Sequence, residues 1–389
     1  MIIEFNGRLQ KLPPYLFIEI DRKKRKLQES GVDVIDFGIG DPDTPTPDFV
    51  ISAMQEAVTK PEYHRYPLGR GKIFFRQACA LWFKKRFGVA LDPEKEVVAL
   101  IGSKEGIGHL PFAFLNQDEV TLVPEPGYPV YANATILAGG NPFFLPLKEA
   151  NGFLPDLSVI PNSVLNKARL IFLNYPNNPT GAAAPDSFWK EAISFCEKHG
   201  IILAADAAYS EVYYGEKSKS IFQFPGGKEV GIEFHSLSKT FNMTGWRVGF
   251  ACGNEKVLAG LATVKENLDS GIFEAIQAAG STALDAPEGF TEDLRRMYRR
   301  RMDTLVSGLN KIGIACSVPA GTFYLWVKTP EGENSTQFST RLLEKFGIIT
   351  TPGCGFGPSG DGYVRFSITL DESRIKEALS RLSERNVSS

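Results

Sequence analysis

Cysteine is scarce in this chain and follows no pattern. Five in 389 residues (Cys79, Cys196, Cys252, Cys316, Cys354) are odd in number and lie without C-x-x-C spacing, which excludes a disulfide framework and a cysteine zinc site. They read as reduced and mostly buried thiols, and no metal is expected. No apolar run reaches the ~18 residues that a membrane span needs, so no membrane association is expected. An excess of either charge is also missing. Lys and Arg number 43 against 45 Asp and Glu, a net charge of -2, which leaves no electrostatic footprint for nucleic acid. The one basic run, Arg22-Lys23-Lys24-Arg25-Lys26, is short and is accounted for as a solvated helix face. The opening MIIEFNGRLQKLPPYLF lacks the basic start, apolar stretch and small-residue cleavage site of a secretion signal, so the expected compartment is the cytoplasm. There is no fixed-period repeat and no low-complexity tract.

What is present is enough apolar residue for large cores: 43% of the chain is hydrophobic and 23% charged, an ordinary globular balance. A single core stops growing beyond roughly 250–300 residues, so two domains are expected, a large one over 48–285 and a smaller one built from 1–47 and 286–389. Short apolar runs at Val97-Ile101, Val120-Val123, Phe143-Leu147, Leu170-Leu173 and Ile201-Ala205 alternate with helical patterns, as a parallel sheet covered on both faces requires. One such helix is expected between Pro185 and Gly200. Strands follow at Ile232-Leu237 and Trp246-Ala251, then long helices to about Ile312. The last segment reads as α+β, with strands near Thr322-Val327, Ile348-Thr351 and Tyr363-Ile368 and helices near Ser335-Phe346 and Asp371-Arg385.

In open α/β sheets, ligands sit beyond the carboxyl ends of the strands, and here those ends carry polar residues. Gly102-Ser103-Lys104-Glu105-Gly106 opens a helix and points N–H groups at an anion, or is an ordinary helix start. Pro124-Glu125-Pro126-Gly127-Tyr128-Pro129 is a rigid turn. Asn178-Pro179-Thr180-Gly181 is turn chemistry in its own right. Asp206 emerges from an apolar run, where a carboxylate without a partner is costly. Ser236-Leu237-Ser238-Lys239 and Gly245-Trp246-Arg247 complete the set. Singly, each is as well explained by structure as by function. Jointly they supply an anion site (Ser103, Ser236, Ser238, Arg247), a buried acid (Asp206) and an amine (Lys239), which match the phosphate, ring nitrogen and aldehyde of pyridoxal phosphate.

These segments, together with Tyr209 three residues after Asp206, resemble the class I/II aminotransferases of fold type I, and the resemblance runs from Tyr15 to Arg365. It implies an α/β transferase with a mixed, mostly parallel sheet in the large domain and a smaller α+β domain. It implies pyridoxal phosphate bound through Lys239, whose amine then carries the proton between the substrate Cα and C4′. By the same resemblance Asp206 holds the ring nitrogen, Asn178 and Tyr209 the phenolic oxygen, and Tyr128 the ring face. Ser103, Lys104, Ser236, Ser238 and Arg247 hold the phosphate. Tyr66 reaches the phosphate of a neighbouring subunit, so a homodimer with shared active sites is implied. Arg365 forks onto the substrate α-carboxylate, with Gly40 close by; without the other matches it reads as a surface charge.

The amino donor is narrower ground. Tyr15 in Leu12-Pro13-Pro14-Tyr15, the Gly102–Gly106 turn, Pro126–Tyr131 and Asn267-Leu268-Asp269-Ser270-Gly271 resemble the LL-diaminopimelate aminotransferases. That subgroup implies LL-2,6-diaminopimelate as donor, 2-oxoglutarate as acceptor and lysine biosynthesis as context. Tyr15, Asn267 and either Lys104 or Glu105 are then expected to meet the distal end of the substrate. The lysine segment is equally close to aspartate-, alanine- or broad-specificity relatives, and a C–S lyase or an aminocyclopropane-forming enzyme shares the cofactor residues. Glu125 stands where many relatives carry aspartate.

Overall fold

The computed structural model describes residues 3–13, 22, 24–26, 28–29, 31–67, 69–287 and 289–384. After a short β1 (Ile35–Asp36), seven strands form the central sheet: β2 (Val97–Leu100), β3 (Val120–Glu125), β4 (Asn141–Pro146), β5 (Ala168–Asn174), β6 (Ile202–Asp206), β7 (Gly231–Ser236) and β8 (Gly249–Gly253). Their spatial order is β2-β8-β7-β6-β5-β3-β4. Strand β8 pairs antiparallel with both β2 and β7, and the other pairs are parallel.

Alternation along the strands explains the layers. Val97, Ala99, Ile171, Leu173, Leu203 and Ala205 pack with Phe75, Phe83, Phe188 and Trp189 in one apolar cluster. Their neighbours Val98, Leu100, Leu170, Phe172 and Ala204 pack with Ile107, Leu110, Leu258 and Leu261 in another. Successive side chains of a strand face opposite sides, so a sheet apolar on both faces must be covered twice. Helices Ile73–Phe87 and Asp186–His199 cover one face, and Ser103–Phe114 and Glu255–Leu268 the other. The helix expected between Pro185 and Gly200 is present to within a residue. Gly200 closes it at φ 64°, a left-handed conformation that glycine takes at little cost.

Four further strands, β9 (Tyr324–Lys328), β10 (Ile348–Ile349), β11 (Thr351–Pro352) and β12 (Tyr363–Ser367), belong to two small sheets. A third apolar cluster joins Phe37 and Ile35 to Tyr298, Met302, Phe323, Phe338, Val364 and Ile375, and takes in Tyr209 and Val212. Two expectations need correction. The single strand expected over Ile348-Thr351 is two, because the chain leaves a parallel pairing with β1 at Ile349 and enters an antiparallel one with β12 at Thr351. The strand expected from Trp246 begins only at Gly249, because Arg247 has φ 54° and cannot be extended. Cys79, Cys196 and Cys252 are buried, Cys316 is half-buried and Cys354 exposed, all free. Among the described residues no helix is long and apolar enough to cross a membrane.

Glu233 is a buried carboxylate in the middle of β7. Glu233 accepts from the backbone N–H of Ile221 (2.6 Å) and lies 3.0 Å from His235 Nε2. Glu233→Ala leaves both partners unsatisfied, and urea unfolding is expected to show a loss of about 2–3 kcal/mol. A loss under about 0.5 kcal/mol, the range of ordinary surface changes, is incompatible with this account.

Candidate active site

Strands β2, β3, β5, β6 and β7 point the same way, so the segments leaving them converge on one edge of the sheet. They open into a cavity of about 380 Å³ whose walls include Ser103, Lys104, Tyr128, Asn178, Asp206, Tyr209, Ser236, Ser238, Lys239 and Arg247, joined by Gly40 and Arg365 from outside the sheet. The reversed strand β8 brings its entry to the same edge, which is how Arg247 arrives.

At one end of the cavity, Ser103 is the first residue of the helix Ser103–Phe114, preceded by Gly102 at φ 75°. A Cβ on Gly102 would stand 2.6 Å from Arg247 Nη2, so only glycine lets the arginine lie against the helix start. Arg247 is steadied by donating to the Thr244 carbonyl at 2.7 Å. A helix N-terminus, a guanidinium and the serine hydroxyls of 103, 236 and 238 together make a site for an anion with several oxygens.

Asp206, 5% exposed, forms the far wall. Tyr131 donates to its Oδ2 at 2.7 Å and the Ala208 N–H to its Oδ1 at 3.1 Å. Burial raises its pKa, opposed by those two hydrogen bonds and by nearby His235. Asn174 donates to the Asp206 carbonyl and, through its own side-chain oxygen, accepts from the backbone of Asn178. Tyr128 stands edge-on to Tyr131, with ring centres 5.7 Å apart.

Lys239 donates from Nζ to the Gly40 carbonyl at 3.0 Å. Burial brings its amine down to about 8; Asp41 opposes that shift and the arginines at 247 and 365 add to it. Arg365, 2% exposed, donates to Asn178 Oδ1 (2.7 Å), the Gly38 carbonyl (2.9 Å) and Thr351 Oγ1 (3.4 Å). Its guanidinium lies between two rings, 3.9 Å from the centre of Tyr324 and 4.7 Å from that of Phe356. A Cβ on Gly40 would overlap the Tyr324 hydroxyl, so the position has room for glycine alone.

Two expected residues are not brought to this cavity, and a third cannot be placed. Tyr66 is 92% exposed. Asn267 is exposed near the end of the helix Glu255–Leu268, where its amide donates back to the Thr263 carbonyl, so the chain does not carry it to its own cavity. Tyr15 lies outside the described residues. Of the two charges expected near a substrate, Lys104 lines the cavity while Glu105 does not: its carboxylate accepts from the Ile101 N–H (2.7 Å) and pairs with the buried Lys265 (3.0 Å). Sequence reasoning missed Tyr131, Asn174, Tyr324 and Asp41. For Tyr131 a signal existed, since a carboxylate leaving a buried strand demands a donor.

The fold, with the amine, acid and anion site along one cavity, defines a pyridoxal-phosphate transferase of fold type I. The profile "Aminotransferase class I and II" matches residues 32–382, and the chain belongs to that family. It is 54% identical over 386 residues to the LL-diaminopimelate aminotransferase of Halothermothrix orenii, covering 99% of both chains. To that of Aquifex aeolicus it is 52% identical over 382 residues, covering 98% of this chain and 99% of the other. The substrate-bound BacF structure from Bacillus subtilis superposes with a TM-score of 0.96 at 38% identity, covering 99% of this chain and 98% of that one. Pyridoxal phosphate is the family's cofactor, and the donor set fits it: an anion cradle that a Cβ at Gly102 would fill, an acid held by Tyr131, and an amine in the same cavity.

The lysine gives a pH test. An ordinary lysine titrates near 10.4, so with Lys239 at about 8 the unfolded chain binds more protons than the folded one between those values, and stability rises with pH across that window. In cofactor-free protein, Lys239→Met removes the cost of holding a charged amine there. It is expected to be more stable than wild type at pH 7 by on the order of 2–3 kcal/mol, the difference fading by about pH 10.5. Urea unfolding at pH 7 and 10 decides, and a pH-independent difference contradicts the assignment.

Proposed function

We propose that this enzyme transfers the amino group of LL-2,6-diaminopimelate to 2-oxoglutarate, a step of lysine biosynthesis in the cytoplasm, and that it works as a homodimer. The donor assignment is carried by the identity of 52–54% over nearly the full chain to LL-diaminopimelate aminotransferases. Bound in the cavity, pyridoxal phosphate supplies an aldehyde that condenses with amines and a ring that accepts electrons. Arg365 orients the α-carboxylate, its fork held by Asn178, Gly38 and the flanking rings. Lys239, whose amine burial makes easier to deprotonate than an ordinary lysine's, takes the proton from the donor's Cα and returns it to C4′. Asp206 keeps a proton on the ring nitrogen, Tyr209 and Asn178 hold the ring oxygen, Tyr128 covers the ring face, and Ser103, Lys104, Ser236, Ser238 and Arg247 hold the phosphate. On this reading the larger domain spans 48–285, and 1–47 with 286–389 forms the smaller.

The bare ring of Tyr66 supports a second copy of the chain beside it. The nearby Gly69 lies against Glu266, which precedes the exposed Asn267 and the 61% exposed Leu268, so the two segments meet. Tyr66 and Asn267 then serve the partner's cavity. Mixing Tyr66→Phe with Lys239→Ala subunits is expected to restore activity that neither homodimer has in full; verified heterodimers without any gain exclude a shared site.

For the donor, kcat/KM is measured for LL-diaminopimelate, lysine, alanine and aspartate with 2-oxoglutarate. A pocket built to pair a polar distal end rejects donors lacking it by as much as ~10⁴-fold, so diaminopimelate is expected to lead. Alanine or aspartate ahead of it overturns the donor assignment and leaves the aminotransferase standing.

A further inference from the structure

Tyr324 lies on β9, where nothing in the sequence sets it apart from its apolar neighbours, yet it lines the cavity. Its hydroxyl is 3.1 Å from that of Tyr209, and its ring lies under the guanidinium of Arg365. The same hydroxyl packs on Gly40, whose carbonyl takes the hydrogen bond from Lys239. One side chain therefore touches the residue proposed for the ring oxygen, the one proposed for the α-carboxylate and the segment that holds the amine.

Two hydroxyls at this distance share one hydrogen bond, and geometry alone allows either to donate. The guanidinium breaks the tie, because it lies on the ring of Tyr324 and its charge acts on that phenol more strongly than on Tyr209's. It carries a permanent positive charge and only donors, so it attracts the lone pairs of the nearby phenol oxygen and turns the proton away from itself. The proton of Tyr324 is then directed to the oxygen of Tyr209, and the proton of Tyr209 is left to point into the cavity. Tyr209 and Tyr324 are 7% and 3% exposed, so water competes little for either group and the direction is kept.

We propose that Tyr324 is a positioning residue whose hydroxyl holds Tyr209 with its proton aimed into the cavity, so that Tyr209 meets the cofactor's ring oxygen as a donor. The inference rests on the assignment of Tyr209 to that oxygen. A donor there stabilises the oxygen's anionic form and lowers the pH at which the absorbance of the bound cofactor changes. Without Tyr324 the Tyr209 hydroxyl is free to rotate, and part of that effect is lost.

The test is a double-mutant cycle of Tyr209→Phe, Tyr324→Phe and the double variant, each loaded with pyridoxal phosphate and titrated by absorbance. Tyr324→Phe is expected to raise the midpoint by about half a unit, a fraction of what one hydrogen bond carries. Tyr209→Phe is expected to raise it further, and the double variant no further than Tyr209→Phe alone, because Tyr324 acts through Tyr209. Shifts that add, or an unmoved midpoint in Tyr324→Phe, overturn the proposal. Should the double variant fail to fold, the midpoint of Tyr324→Phe against wild type decides alone, raised in support or unmoved against. Thermal melts of the same proteins without cofactor measure the hydroxyl pair directly, and absence of coupling there also overturns it. A wild-type enzyme that transaminates no donor would remove the functional reading while leaving the coupling in those melts intact.

Discussion

The shared direction of β2, β3, β5, β6 and β7 is the constraint on which the site depends. It brings five chain exits to one edge, and the reversed β8 adds an entry at the same place. These five strands are mostly apolar and almost wholly buried, and the polar groups of the cavity stand where the chain leaves them. Chemistry at the edge and cohesion in the middle are therefore carried by different residues of the same strands. Leu173 packs in the core, and Asn174, the next residue, holds the carbonyl of Asp206.

Charge burial is the cost of that arrangement, and oriented dipoles offset it. Asp206, Lys239 and Arg365 all sit in the cavity wall with little water. Their hydrogen bonds to the described residues run to neutral groups: Asp206 accepts from a phenol and a backbone N–H, Lys239 donates to a backbone carbonyl, and Arg365 donates to an amide oxygen, a carbonyl and a hydroxyl. Neutral partners hold a buried charge in place without cancelling it, which leaves its field for a ligand. A buried lysine that does take carboxylate partners, Lys265 with Glu105 and Asp269, is not part of the cavity lining.

Much of this was legible from the sequence because the polar residues stand directly after short apolar runs, and a run of that length between helical patterns is a buried strand whose end meets the sheet edge. Asp206, Ser236, Lys239 and Asn178 could be placed that way. Tyr324 could not, because in its strand a tyrosine between Phe323 and Leu325 looks like core, and its ring does pack there; only its hydroxyl emerges. The choice between Lys104 and Glu105 stayed open for a related reason. Residues 104 and 105 are adjacent on one helix and so point about 100° apart; the sequence cannot say which of the two faces the ligand. The reach of Trp246-Ala251 as a strand was overestimated because a left-handed Arg247 has no sequence signature, unlike a glycine.

The hydrogen bond from Arg365 to the carbonyl of Gly38 joins residues 327 positions apart. Closing so long a loop is entropically expensive and gives no return until both ends are in place. The cavity is thus built in two stages: a chain still emerging from the ribosome can assemble β2 to β8, with Asp206 and Lys239 at their edge, while the carboxylate fork waits for β12. The order of synthesis therefore sets the order of assembly: the acid and the amine are in place before the guanidinium that is to hold the substrate's carboxylate.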